Sequence, residues 1–137
     1  MLIFPHVQRE LKSVHEDLSA YEQNGNGHEN VTNLDYLKKF CEGDEKRMKK
    51  YIKVYLNALP AFHQNIEAAI ANKDFVEIAL HVHSFKPKWM MMGMKKTNEL
   101  GIKIDQMSKA QNEKVFDDLK ILMDDINKSV TELEASA

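Results

Sequence analysis

The sequence predicts an all-α protein: an antiparallel four-helix bundle with a short capping helix and an extra N-terminal helix. Apolar residues recur at spacings of three and four in each long segment, which is the period of an amphipathic helix. No stretch alternates convincingly with period two, so strands are not expected. Short loops join the four longest segments of the bundle, and short connections favour antiparallel neighbours.

Residues 1 to 30 are predicted to form an N-terminal amphipathic helix, over residues 6 to 21, followed by a flexible linker. The apolar stripe of this helix is Val7, Leu11, Val14, Leu18 and Tyr21. The glycine- and asparagine-rich residues 22 to 30 are typical of a loop. This helix could pack on the bundle, mediate dimerisation or be the remnant of a longer signalling helix, and the sequence does not choose among these.

Residues 31 to 137 are predicted to be the bundle domain. A short helix capped by Thr32 or Asn33 carries Leu34, Leu37 and Phe40 and ends at Gly43. Asp44 then begins a long helix whose register survives Pro60, which indicates one kinked helix rather than two. Its seam is Met48, Ile52, Tyr55, Leu59, Phe62, Ile66 and Ile70.

The next predicted helix begins at Asp74, runs to about Met92 and carries an exposed histidine. Its buried seam is Phe75, Ile78, Val82, Phe85, Trp89 and Met92. At about 100° per residue, His83 lies roughly 130° from the centre of that seam and should face water. Gly93 lies on the seam side, where it allows close helix contact or marks the helix end.

Two further helices complete the predicted bundle. The first has one apolar stripe, and Gly101 is its weak point because glycine has a low helix propensity. The second has a longer apolar stripe. Their apolar residues are Leu100, Ile104 and Met107, and then Val115, Leu119, Leu122, Ile126, Val130 and Leu133.

Exposed apolar side chains are predicted around His83. Pro87, Met90 and Met94 fall within about 40° of it on the helical projection, and Met91 also points outward. Methionine at helical spacing is normally core filler, but flexible, polarizable side chains also suit a surface that docks partners, and we favour docking here. Lys86 lies beside the histidine, whereas Lys88 projects away from it and is expected to be solvated.

The other histidines are weaker candidates for chemistry. His81 projects to the opposite flank of the helix, where a partly buried, hydrogen-bonded histidine is the usual outcome. His6, His15, His28 and His63 lack carboxylate or cysteine partners at ligand spacing, so no metal site is expected.

Composition narrows the function classes. A chain of 137 residues suits one domain with a core. With 19 basic and 21 acidic residues the net charge is -2, which favours neither nucleic acid nor an anionic membrane as a partner. There is no apolar run of about 18 residues and one cysteine, Cys41, so we expect a cytoplasmic protein without disulfides. No P-loop or glycine-rich phosphate cradle is present, and hence no ATP site is expected.

The spacing of His83, Lys86 and Gly93 resembles that of the histidine-containing phosphotransfer (HPt) domain of bacterial phosphorelay two-component systems. Similarity extends to Leu34-Asp35-Tyr36-Leu37, to the pair Gly43-Asp44 and to Asp74, and covers roughly residues 31 to 134. Pro87 departs from the family, which usually has glycine four residues after its histidine.

The resemblance implies a phosphorelay intermediate. His83 would accept a phosphoryl group from a receiver-domain aspartyl phosphate and pass it to another receiver, with Lys86 offsetting phosphoryl charge. The chain would be a phosphocarrier rather than an enzyme and would need no cofactor of its own, because Mg²⁺ belongs to the receiver. We favour a monomer, although the sequence does not fix the oligomeric state. Its partners would be response-regulator receiver domains and a hybrid histidine kinase. Two alternatives stay open: a docking module that is never phosphorylated, and a structural helical adaptor assembled through residues 6 to 21.

Overall fold

The computed structural model describes residues 30 to 136, which form helices joined by short loops and contain no strand. The helices are α1 (Asp35–Phe40), α2 (Glu45–Ala71), α3 (Phe75–Met91), α4 (Lys95–Lys109) and α5 (Val115–Ser136). The all-α prediction is therefore confirmed for this part of the chain. The predicted helix over residues 6 to 21 and its linker as far as residue 29 lie outside the described residues.

Aspartate side chains cap the two helices that build the centre of the fold. Asp44 accepts hydrogen bonds from the Lys46 and Arg47 amides at the start of α2. Asp74 accepts one from the Glu77 amide at the start of α3. Each carboxylate satisfies amides that have no partner within the helix, and both aspartates stand where the sequence predicts these helices to begin.

The predicted cap of α1 is wrong. The N-cap residue is Leu34, and no side chain caps it. Thr32 instead donates its hydroxyl to Glu132 on α5, while Asn33 accepts from the Asp35 amide just outside the helix. For Thr32, a long-range bond to a carboxylate takes the place of the predicted local cap, whereas Asn33 makes a local bond to the first amide of α1 from one residue before the N-cap position.

The core lies between α2, α3, α4 and α5. Helix α3 contacts α4 and α2, α5 contacts α4 and α2, and α1 lies on α2. An aromatic cluster joins α2 to α3, with ring centroids 4.5 Å apart for Phe62 and Phe85 and 5.8 Å apart for Phe62 and Trp89. Helix α2 runs unbroken through Pro60, as predicted. The fully buried seam residues of α3 are Ile78, Val82, Trp89 and Met92, with Phe85 nearly so.

Helix α3 ends in a Schellman turn at Gly93. The Met94 amide donates to the Trp89 carbonyl at 2.9 Å, and the Gly93 amide donates to the Met90 carbonyl at 3.0 Å. Gly93 has a φ of +68°, which a side chain would strain. Of the two roles predicted for Gly93, the helix end is confirmed.

Among α1 to α5, no helix has both the length and the apolar composition needed to cross a membrane.

Candidate functional site

His83 lies on the outward face of α3, at the middle of the helix. Its side chain is 66% exposed, whereas its neighbours Val82 and Phe85 are buried. The helical period thus separates the imidazole from the seam, as the sequence predicts.

A carboxylate from the next helix faces this imidazole. Asp105 of α4 places Oδ2 3.5 Å from the Nδ1 atom of His83. The same Oδ2 atom lies 3.9 Å from the Lys86 ammonium, and Oδ1 lies 3.6 Å from the Lys109 ammonium. We call these four residues the His83 cluster.

Asp105 is much less exposed than the histidine it faces. Its side chain is only 11% exposed, and Oδ1 is buried without a hydrogen-bond partner. Lysine charges therefore stabilise a carboxylate that burial would otherwise disfavour. Asp105 was not among the site residues predicted from the sequence; the signal that could have identified it is an acidic residue directly after Ile104, at the edge of the buried stripe.

Gly101 explains why the carboxylate reaches the histidine. A Cβ atom at this position would lie 2.9 Å from Cζ3 of Trp89, so only glycine allows α4 to approach α3 this closely. Asp105 is one turn further along α4, on the same face as Gly101. The predicted weak point of the helix is therefore the close contact that brings Asp105 to His83.

The two lysines of α3 lie in different surroundings. Lys86 is 19% exposed, with its ammonium near Asp105. Lys88 was predicted to be solvated, but its side chain is half-buried and its ammonium lies 5.3 Å from the centroid of the Phe85 ring, within cation–π range. Of these two lysines, only Lys86 belongs to the His83 cluster.

An apolar ridge runs along α3 on both sides of His83. Val76 and Leu80 precede the histidine and Met90 follows it, and all three are large exposed hydrophobic residues. Pro87 is exposed as well, and Met91 is half-buried. We call this row, at spacings that keep it on one face, the α3 ridge.

The C-terminal half of the α3 ridge borders an open groove of about 670 Å³. The opposite wall comes from α1 and the segment before it. The lining residues are Asn33, Asp35, Tyr36, Pro87, Met90, Met91, Gly93 and Lys95. Exposed methionine, proline and tyrosine side chains make this a surface suited to a protein partner.

Met94 does not belong to the docking surface, and the prediction that placed it there is wrong. It is fully buried, and its sulfur accepts a hydrogen bond from the Tyr55 hydroxyl at 3.4 Å. The helical projection placed it beside His83, but the helix ends before it, and the turn at Gly93 directs the chain inward. Met94 is thus a core residue, while Met90 keeps its predicted exposure.

We expect Met90→Glu and Met94→Glu to separate surface from core. Met90→Glu should change the free energy of unfolding by no more than about 0.5 kcal/mol, as for most surface substitutions. Met94→Glu should cost about 3 kcal/mol or more, because it buries an unpaired charge. Thermal or urea unfolding of both variants measures the difference; equal stabilities would contradict the burial of Met94.

His81 behaves as predicted for a partly buried histidine. Its Nε2 atom lies 3.1 Å from Oε1 of Glu77, one turn earlier, and its side chain is 25% exposed. His63 is partly buried too, and burial lowers its pKa. Among the described residues, no group of three or more His, Cys, Asp or Glu side chains is placed to hold a metal ion.

Comparison of the chain with protein-family models, with curated proteins and with solved structures found no match.

Proposed function

We propose that this protein is a phosphorelay intermediate that accepts a phosphoryl group on His83 from a receiver-domain aspartyl phosphate and passes it to another receiver. The observation that carries the proposal is the His83 cluster: an exposed imidazole with a largely buried carboxylate 3.5 Å from its Nδ1 atom and the Lys86 ammonium 3.9 Å from that carboxylate. Phosphoryl transfer needs mainly positioning and charge stabilisation, which such a cluster supplies.

Asp105 selects the nitrogen that reacts. A carboxylate is an acceptor, so beside Nδ1 it favours the tautomer that carries its proton there. The lone pair is then on Nε2, the other ring nitrogen. In the neutral ring, only this nitrogen can act as the nucleophile.

Transfer then needs no proton to leave the histidine. The bond between Nε2 and phosphorus forms as the bond between phosphorus and the receiver aspartate oxygen breaks, and the aspartate leaves as a carboxylate with the electron pair. Nδ1 keeps its proton, so the phosphorylated ring is cationic and Asp105 faces that charge. The Lys86 ammonium offsets charge on the phosphoryl oxygens, and Mg²⁺ is supplied by the receiver.

The α3 ridge gives a receiver an apolar surface on both sides of the reactive atom. Pro87, Met90 and Met91 follow His83, and Val76 and Leu80 precede it. A partner that covers this ridge would bury these side chains and exclude water from the transferring phosphoryl group.

The proposal extends to the arrangement of the helices, the compartment and the partners. We propose that the four long helices form an antiparallel bundle, and that the protein is a cytoplasmic, bacterial phosphocarrier without its own ATP site. Response-regulator receiver domains and a hybrid histidine kinase are its proposed partners. Gly93 serves this site structurally, by ending α3 below the ridge.

The second candidate is a docking module that binds receivers without accepting phosphate. The exposed apolar side chains of the α3 ridge favour it, because they suit a partner surface whether or not a phosphoryl group is transferred. The exposed α3 ridge is needed in either case, so chemistry rather than binding distinguishes the two functions.

The test is incubation of the purified protein with a phosphorylated receiver domain, followed by mapping of the label. Phosphohistidine is expected, labile in acid and stable in alkali. Binding of the receiver without transfer of label would favour the docking module instead.

Replacing Asp105 with Asn is expected to weaken the preference for a proton on Nδ1, because an amide can donate as well as accept. The ¹⁵N shifts of the His83 ring at alkaline pH report the tautomer. Transfer from the receiver should slow in parallel, because less of the reactive tautomer is present.

Asp118→Asn is the matched control. Asp118 also has a largely buried side chain, 13% exposed, and its carboxylate lies 3.4 Å from the Lys103 ammonium. This substitution should leave the His83 tautomer unchanged. Equal tautomer populations in the wild type and Asp105→Asn would mean that Asp105 does not select the nitrogen.

A further inference from the structure

The groove beside His83 has a rigid floor where the chain enters the fold. The Asn33 amide donates to the Met92 carbonyl at 3.1 Å. A Cβ atom at Gly93 would collide with the Asn33 carbonyl oxygen, so the two segments touch backbone to backbone. The groove walls are open to solvent, since Tyr36 and Met90 are both exposed. A rigid concave surface with exposed apolar walls favours an occupant.

The start of the described chain is anchored next to this groove. The Val31 and Thr32 amides donate to the Glu132 carboxylate at 2.9 Å each, and the Thr32 hydroxyl donates to it at 2.6 Å. Burial raises the pKa of Glu132, and these three bonds oppose that rise. Val31 and Thr32 are therefore fixed on α5, and Val31 lies two residues along the chain from the groove wall at Asn33.

We propose that residues 6 to 21 of this chain occupy the groove and cover the α3 ridge beside His83. The apolar stripe that the sequence predicts for this segment matches the apolar character of the ridge. A helix of 16 residues is about 24 Å long at 1.5 Å per residue. The ridge from Leu80 to Met91 spans about 17 Å on the same measure, so the stripe is long enough to cover it.

Residues 22 to 30, which join the segment to the bundle, permit contact between the segment and the groove and favour it. Residues 22 to 30 can span up to about 30 Å when extended, and their anchored end adjoins the groove. A link of nine residues with the glycine- and asparagine-rich composition of this segment is expected to give an effective concentration in the millimolar range. The segment therefore has an advantage over a second copy or an independent partner present at micromolar concentration.

Charge does not oppose the contact. The first 30 residues contain five acidic residues, Glu10, Glu16, Asp17, Glu22 and Glu29, against two basic ones, Arg9 and Lys12. The groove is flanked by lysines: Lys95 lines it, and Lys39 lies one turn from Tyr36 on α1. Asp35 is the acidic residue of the lining.

The consequence for phosphotransfer rests on the proposed function. A receiver that approaches His83 must displace the segment from Pro87 and Met90, so the segment would compete with the receiver. Occupancy itself does not depend on phosphotransfer, and it can be tested without a receiver.

The test is a methyl NMR spectrum of the full chain labelled at methionine. In the double variant Leu11→Glu with Leu18→Glu, the Met90 and Met91 methyl resonances should shift, because the stripe can no longer cover them. The matched control is Ser13→Glu with Ser19→Glu, which adds the same charge on the opposite face of the predicted helix. Met107 and Met123, which pack elsewhere on the core, should not move in either variant.

Unchanged Met90 and Met91 resonances in the leucine variant would overturn the proposal. A shift in the wild type that depends on protein concentration would also overturn it, in favour of a second copy as the occupant. A separate measurement, transfer from a phosphorylated receiver, should be faster in the leucine variant than in its control. If the methyl resonances shift and no phosphoryl transfer occurs in any variant, occupancy stands and the proposed phosphorelay function fails.

Discussion

Replacing His83 with Gln is expected to abolish phosphorylation of the protein by a phosphorylated receiver. Glutamine keeps a polar side chain of similar size at this exposed position but has no ring nitrogen that can attack phosphorus. The fold should persist, because the wild-type side chain is largely in solvent. Transfer of radiolabel from the receiver, read on acid-free gels, measures the result.

His81→Gln is the matched control for this loss. His81 is two residues away on the same helix, but it faces Glu77 rather than the His83 cluster, so most of the transfer should remain. Label that persists in His83→Gln, or that maps to His81, would refute the assignment. ATP with Mg²⁺ alone should label neither variant nor the wild type, since the chain has no nucleotide-binding motif.

Replacing Trp89 with Ala is expected to cost roughly 3 to 5 kcal/mol of the free energy of unfolding, a large share of the stability of a small domain. Trp89 is fully buried. Its ring contacts Phe62 and Phe85 and lies against the backbone of α4 at Gly101. The cavity would therefore open at the contact that holds α3 and α4 together. Urea unfolding of the variant measures the loss.

Val76→Ala provides the comparison on the same helix. Val76 is 74% exposed, so its truncation should change stability by about 0.5 kcal/mol or less. If both variants unfold at the same urea concentration, the buried face of α3 is not the one described. If Trp89→Ala still folds but accepts the phosphoryl group more slowly, the contact between α3 and α4 also positions Asp105 beside His83.

The sequence alone determined α1 to α5, the buried faces of the long helices and the residues at which α2 and α3 begin. Apolar spacing identified the seam of α3, so both the exposure of His83 and the burial of Trp89 followed from the period of the helix. Asp44 and Asp74 were identifiable as caps because capping is a local interaction between neighbouring residues. These features depend on contacts within a few positions along the chain, which a sequence displays directly.

Tertiary structure decided what surrounds the histidine. Asp105 reaches His83 from 22 positions further along the chain, and it does so only because Gly101 lets α4 approach Trp89. Likewise, the turn at Gly93 directs Met94 into the core, where its sulfur contacts the Tyr55 hydroxyl. A helical projection that continued past Met92 had placed Met94 in solvent instead. Periodicity describes one helix at a time, whereas distances between helices depend on how side chains from both fill the space between them.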